Sequence, residues 1–403
     1  MVLDPLFHKA IEILDNLEKH GHQAYFVGGS VRDYLLGNSI KDIDIATSAT
    51  PTDVQAIFPK VIPVGIQHGT VIVRKNKHSY EVTTFRRFGH YSDFRHPDEV
   101  FFVSQIDDDL SRRDFTINAI AMDKHGNIYD PFMGEADIKR QLIRTVGRPS
   151  DRFYEDPLRM LRALRFVSQL GFSIEQHTLE SIKQQVTFVN ELAVERLAVE
   201  FEKTIAGAYV TSAIPFYREV NLWEQLPVFK EQPELTTSIY ALTQPLASLY
   251  EVFALLKIKQ PELDLRNMMR VWKQSNQTFN AADQLVKLLN QYEKNGLNTW
   301  LIYQLPEFLY ISFVRLNDVL YQDKDKITLT TIQDGASRLK ITSMRDIAFT
   351  GQDIINLYQN RDKGPWIQRY LNQIEKAIVT GDLRNQFKDI REWILSCHPP
   401  EKG

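Results

Sequence analysis

The chain carries a single cysteine, Cys397, so no disulfide can form within it. That absence fits a reducing compartment and leaves stability to a hydrophobic core. Long apolar runs are missing as well. Met1 to His20 mixes Asp, Glu, Lys and His with apolar residues, unlike a signal peptide, and no later stretch reaches the roughly 20 apolar residues that cross a bilayer. The expectation is a cytoplasmic protein with no membrane association. An excess of either charge is also lacking: the net charge is -3, which argues mildly against a nucleic-acid binder but leaves room for a local basic patch. Neither short tandem repeats nor low-complexity tracts occur.

What is present is an ordinary globular composition, 43% hydrophobic and 25% charged. With 403 residues, two or more folding units are expected, because single cores rarely grow past ~250–300 residues. Pro5 to Lys19 reads as an amphipathic helix with Phe7, Ile11, Leu14 and Leu17 on one side, ended by His20-Gly21. Short β-rich runs follow at Gln23–Val27, Asp42–Ala46, Val61–Val64, Thr70–Arg74 and Ser79–Phe85. Their spacing predicts a mixed sheet with hairpins and no regular βαβ repeat. From about Asp151 strand signals almost vanish. Helical runs are expected at Asp156–Gln169, Ile174–Gln185, Val194–Ile205, Leu246–Leu256, Phe279–Tyr292, Tyr310–Tyr321, Gly351–Leu357 and Pro365–Val379. A Pro- and Gln-rich boundary falls at Gln225–Pro233 and a second shift near Asp323–Thr331.

Four constellations bear on chemistry. Gly28-Gly29-Ser30-Val31-Arg32-Asp33 joins a strand to a helix. Two glycines let the backbone approach an anion, Ser30 is placed to cap the helix, and Arg32 adds a charged donor. Taken alone this is more often a plain tight turn. Asp42-Ile43-Asp44-Ile45 follows. Strand alternation puts the two carboxylates on one face ~6–7 Å apart and the two isoleucines in the core. Like charges so placed call for a cation, and carboxylates suit Mg²⁺.

Third is Ser111-Arg112-Arg113-Asp114-Phe115-Thr116-Ile117-Asn118, where one arginine is expected to reach a triphosphate or ribose while Asp114 holds it. A surface ion pair is the plainer alternative. Fourth is Glu155-Asp156-Pro157-Leu158-Arg159-Met160-Leu161-Arg162, continuing to Arg165. Pro157 suits a first helical turn, and Asp156 and Arg159 are spaced as i, i+3 neighbours. One accepts and the other donates, as the edge of a nucleobase requires, although taken alone an ion-paired helix surface is the commoner reason for such spacing.

The order and spacing of GGSVRDYLLG, DIDIAT, RRDFTINAIA and EDPLRMLRALRF, with ERLAVEF at Glu195–Phe201, resemble the class II tRNA nucleotidyltransferases and bacterial poly(A) polymerases of the polymerase-β superfamily. The resemblance is specific over residues ~22–205 and rests on helical character beyond them. It implies an α+β fold: a polymerase-β-like nucleotidyltransferase head at 1–148, then an all-α neck at 149–210, body at 211–322 and tail at 323–403. It implies that Asp42 and Asp44 bind two Mg²⁺ and are the catalytic residues, one metal activating the tRNA 3′-hydroxyl and the other holding the triphosphate. Gly28, Gly29 and Arg32 would sit at the triphosphate and Arg113 near ribose or phosphates. Asp156 and Arg159 would act as a protein template for C and A, with Arg162 and Arg165 completing the nucleotide site. Glu81 is either a third acid near the metals or half of a buried ion pair.

Val64-Gly65-Ile66-Gln67-His68-Gly69-Thr70-Val71 looks like the tRNA enzymes of the family, not the poly(A) polymerases. Phe85-Arg86-Arg87 to Arg95-His96-Pro97-Asp98 resembles the flexible loop kept by enzymes that add the terminal A, with Phe94 where Gly is usual. No His-Asp dipeptide occurs, so the phosphohydrolase domain of some longer relatives is not expected. The implied activity is addition of C, C and A to tRNA from CTP and ATP, with a homodimer compatible with it. The alternatives are an enzyme adding only A, a poly(A) polymerase, or a non-catalytic RNA-binding protein. Lys324, Lys326, Arg338, Lys340, Arg345, Arg384, Lys388 and Arg391 are candidate tRNA phosphate contacts.

Overall fold

The computed structural model describes residues 3–89, 99–322, 326–359 and 361–397. The chain divides into two compact units: Met1–Pro245 with Val271–Lys273, and Leu246–Arg270 with Gln274–Gly403. The division at Pro245 lies beyond the expected boundary at Gln225–Pro233, which belongs to the first unit.

The first helix, α1, covers Pro5–Lys19 and is capped by Asp4, whose carboxylate accepts from the Leu6 N–H at 2.8 Å. Its buried stripe, Phe7, Ala10, Ile13, Leu14 and Leu17, covers one face of the sheet, with Phe7 on Phe26 at 4.7 Å between ring centroids. Each such fully buried large side chain contributes about 1.5–3 kcal/mol.

The strands are β1 (Ala24–Val27), β2 (Asp44–Thr47), β3 (Val61–Gly65), β4 (Thr70–Lys75), β5 (His78–Thr84), β6 (Arg86–Phe88), β7 (Val100–Phe102), β8 (Ala121–Met122) and β9 (Ile128–Tyr129). Seven form one sheet in the order β3-β4-β5-β2-β1-β8-β9, and β6 pairs β7 separately. All neighbours in the large sheet are antiparallel except β2 and β5, which run parallel. That parallel pair sets the register Asp44 opposite Glu81, while the antiparallel β1 puts Val27 opposite Asp44. The sheet thus brings the Gly-Gly turn after Val27, the acid of β2 and the acid of β5 to one level.

Helix α2 (Gly29–Leu36) follows β1, α3 (Pro51–Ile57) follows β2, and α4 (Ile106–Ser111) and α5 (Gly134–Lys139) flank β8 and β9. After these the first unit is helical. Helices α6 (Pro149–Glu155), α7 (Leu158–Leu170), α8 (Gln176–Gln185) and α9 (Val194–Ile205) follow, and the one further strand pairing among the described residues sets Ser173–Ile174 parallel to Leu142–Ile143. Helix α9 packs on α7, burying Leu197, Ala198 and Phe201. Phe201 sits in an aromatic cluster with Tyr217, Trp223, Phe229 and Trp272, its ring stacked on Trp272 at 5.4 Å.

The second unit is helical throughout its described residues. Around Leu249–Lys259, Asn276–Asn295 and Tyr310–Leu320 it buries Glu251 completely, and the carboxylate accepts from Arg315 at 2.6 Å and from the Ala247 N–H at 2.8 Å. Trp366–Thr380 and Phe387–Cys397 share a further apolar core of Ile354, Ile374, Ile378, Ile390 and Ile394. Among the described residues no helix is long and apolar enough to cross a membrane.

Candidate active site

A cavity of about 630 Å³ in the first unit is lined by Gly28, Gly29, Arg32, Asp44, Glu81, Arg113, Asp156, Arg159, Arg162 and Arg165, all proposed from the sequence. Asp42 is not among its lining residues. The lining carries nine arginine and lysine side chains against four carboxylates, the local basic patch that the net charge of the chain conceals.

The sheet wall begins at Gly28, whose φ of 71° favours glycine. A Cβ there would stand 3.0 Å from Arg113 Nη1 and 3.8 Å from Asp44 Oδ2. Ser30 does not cap α2. Gly28 is the cap residue, and the Ser30 hydroxyl, one position into the helix, donates back to the Val27 carbonyl at 3.0 Å. The strand bearing the acids is also shorter than expected. It starts at Asp44, so Asp42 precedes it, exposed, and the two do not share a strand face. Ile43 and Ile45 are buried as expected. Burial pushes the Asp44 carboxyl above its ordinary range; Glu81 adds to this, the Arg113 guanidinium opposes it, and Asp42 adds again. Glu81 is exposed to the cavity, which removes the buried-ion-pair alternative. Crowded oxygen donors whose negative charge is unwelcome fit a hard divalent cation. Among the described residues no group of three or more His, Cys, Asp or Glu is assembled around a metal position.

The opposite wall is basic, and its pairings differ from those expected. Asp114 does not hold the neighbouring arginines. It is buried, accepts from Arg162 Nε at 2.7 Å and from Arg162 Nη2, and receives Asn118 Nδ2 at 3.1 Å. Burial would raise its carboxyl, but Arg162, the Asn118 and Arg162 hydrogen bonds and Arg159 hold it well below the usual range. Asp109, 1% exposed, does the task assigned to Asp114: it accepts from Arg112 Nη2 at 2.7 Å and Arg113 Nη2 at 3.1 Å. The sequence signal for it was its place one helical turn ahead of both arginines. Arg32 donates to Asn118 Oδ1 at 2.7 Å and to Asp33 at 2.8 Å.

Asp156 and Arg159, expected to read a base together, are each held by a different side chain. Asp156 ends α6 in extended conformation, ahead of α7. Arg159 donates to Glu155 at 2.6 Å, and Asp156 is held by Arg196 at 3.1 Å. Arg196 went unassigned in the sequence, although it lies in the ERLAVEF segment. Arg165 forms a buried pair with Glu200 at 3.0 Å. Its guanidinium is pulled down to about 10, first by burial and then by Arg162, with Glu200 and Asp114 opposing and Arg32 adding. Arg113 Nε and Arg165 Nε are buried donors with no partner among the described residues. Crowded guanidiniums with donors in reserve are what an incoming polyanion would satisfy. The expected loop at Tyr91–Arg95 and on to Asp98 lies outside the described residues, as does Lys324. The other seven basic candidates, Lys326, Arg338, Lys340, Arg345, Arg384, Lys388 and Arg391, are exposed.

Comparison with known proteins gives the family of the chain. Residues 24–144 match the family described as the poly A polymerase head domain, 171–232 that described as "Probable RNA and SrmB-binding site of polymerase A", and 249–394 the tRNA nucleotidyltransferase domain 2 family. The CCA-adding enzyme of Oceanobacillus iheyensis is 43% identical over 402 residues, covering 100% of both chains. That of Bacillus subtilis is 39% identical over 98% of this chain and 99% of its own. The crystal structure of the Bacillus stearothermophilus CCA-adding enzyme in complex with CTP superposes with a TM-score of 0.88 at 36% identity, covering 98% of each chain. An acid-bearing mixed sheet facing an arginine-rich helical wall, in a chain matched along its whole length, makes this protein a member of the CCA-adding enzyme family of tRNA nucleotidyltransferases.

Proposed function

We propose that this chain adds C, C and A to the 3′ end of tRNA, using CTP and ATP and releasing pyrophosphate, with Mg²⁺ as the divalent metal its family uses. The observation carrying the reading is a single cavity that has Asp44 and Glu81 on one wall and Arg113, Arg162, Arg165 and Asp156 around the rest. Asp42 and Asp44 are the metal-binding and catalytic acids, and Glu81 is placed to assist them. The raised Asp44 carboxyl supports this, because a bound cation competes with the proton that burial favours. When bound, the metal supplies Lewis-acid charge neutralisation to in-line nucleotidyl transfer.

The protein's own part is to position. Gly28 and Gly29 let the triphosphate approach the backbone, and Arg32, Arg113, Arg162 and Arg165 neutralise it in place. Asp156 accepts from the exocyclic amino group that cytosine and adenine share, and Arg159 donates to the adjacent ring acceptor. Uracil and guanine present a carbonyl where the amino group should be, which leaves the carboxylate facing an acceptor. Residues 1–148 act as head, 149–210 as neck, and 211–322 and 323–403 as tRNA-binding body and tail, in a cytoplasmic enzyme, as the lone cysteine also suits.

The test is to sequence tRNA 3′ ends after incubating CCA-less tRNA with CTP alone, ATP alone and both. The reading predicts CC with CTP alone and CCA with both. Only an A added to tRNA already ending in CC would indicate an A-adding enzyme, and long A tails on tRNA and unrelated RNA alike would indicate a poly(A) polymerase.

A further inference from the structure

We propose that Arg196 is a positioning residue that sets nucleotide choice by fixing the Asp156 carboxylate. The inference rests on the template reading of Asp156 given above. Asp156 lies between two helices, with φ −147° and ψ 99°, so no helical backbone fixes its side chain. Two contacts do. The Leu158 N–H donates to Oδ1 at 3.1 Å, and Arg196 Nη2 donates to Oδ1 at 3.3 Å and Oδ2 at 3.1 Å. Arg196 is delivered by the first turn of α9, and the next residues, Leu197 and Ala198, anchor that helix with Phe201 in the core. The guanidinium therefore comes from a rigid support.

Arg196 is also more than a structural tie. It lines the cavity, and its Nη1 is buried with no partner among the described residues. Nη2 therefore holds Asp156 from within the cavity itself, at the site where the base is read.

The consequence for selection follows from how a carboxylate rejects a base. An acceptor facing the carbonyl of uracil or guanine is penalised only if it cannot turn away, because a mobile carboxylate escapes by rotating toward water. Held by Arg196 and the Leu158 N–H, Asp156 cannot escape. Without Arg196 the penalty against uracil and guanine falls more than the binding of cytosine and adenine, so the ratios narrow.

The experiment measures kcat/KM for CTP, UTP, ATP and GTP on CCA-less tRNA and on tRNA ending in CC, for wild type, Arg196→Ala, Arg196→Lys, Asp156→Ala and the double Ala variant. Arg196→Ala is expected to lower the C-over-U and A-over-G ratios by about tenfold or more, the scale of one lost charge-assisted hydrogen bond. Arg196→Lys should recover part of it, and the double variant should fall no further than Asp156→Ala, as coupled residues behave. Equal slowing of all four nucleotides by Arg196→Ala, with the ratios intact while Asp156→Ala loses them, would overturn the proposal. Ratios intact in Asp156→Ala as well would overturn the template reading itself. Should Arg196→Ala fail to fold, Arg196→Gln, which keeps the aliphatic stem, is judged by the same ratios.

Discussion

On the sheet wall of the cavity Asp44 faces Glu81 across adjacent strands, with Arg113 as the cation that tempers it. On the helical wall Arg159, Arg162 and Arg165 hold Glu155, Asp114 and Glu200, and Arg196 holds Asp156. The difference teaches what each wall is built to receive. Acids offset only by Arg113 would take a cation, whereas arginines tied at one edge would present their remaining donors to an anion and a base in fixed positions.

Removing the acid should break the comparison hardest. Asp44→Asn is expected to lower addition of both C and A by about a thousandfold or more, the several kcal/mol that metal-borne charge neutralisation supplies. tRNA binding should be unchanged in a gel-shift assay; comparable loss of binding would shift the role of Asp44 from chemistry to structure.

The helical wall should fail differently, through stability. Asp114→Ala leaves Arg162 without its partner and is expected to cost about 3–5 kcal/mol, read as a lower unfolding temperature. The same pair gives a pH signature. The folded carboxyl lies below its ordinary value of 3.8, so its stabilisation is present above about pH 4 and is lost as pH falls below that. Asp114→Ala should therefore show a flatter loss of stability in acid than the wild type.

Gly28→Ala sits where the two walls meet. A Cβ at positive φ and 3.0 Å from Arg113 Nη1 should cost about 1–3 kcal/mol and raise KM for CTP and ATP together, leaving their ratio unchanged. The smallest effect is expected at Glu81→Gln, which should raise the Mg²⁺ concentration needed for half-maximal activity by about tenfold. An unchanged Mg²⁺ dependence would leave the metal to Asp42 and Asp44.

The sheet wall was far more legible in the sequence than the helical wall, for a physical reason. Helix α1, the buried Ile43 and Ile45 and five strands follow from local periodicity, which one segment carries by itself. The partners of Asp114 and Asp156 lie 48 and 40 residues away, on helices that only the tertiary fold brings near, and for Asp114 the sequence offers the adjacent arginines instead. Alternation continues through Asp42 and predicts it within the strand, yet β2 takes up pairing only at Asp44. Strands β6 to β9, two or three residues long, are too short to show a period.

The central claim, metal-dependent nucleotidyl transfer from CTP or ATP to tRNA that requires Asp44, is tested most directly by pyrophosphate release from CTP on CCA-less tRNA, followed as Mg²⁺ is titrated for wild type and Asp44→Asn. The account predicts release that requires both Mg²⁺ and tRNA in the wild type and is essentially abolished at every Mg²⁺ concentration in the variant. Release by Asp44→Asn at a wild-type rate, or release by the wild type with Mg²⁺ chelated, would contradict it.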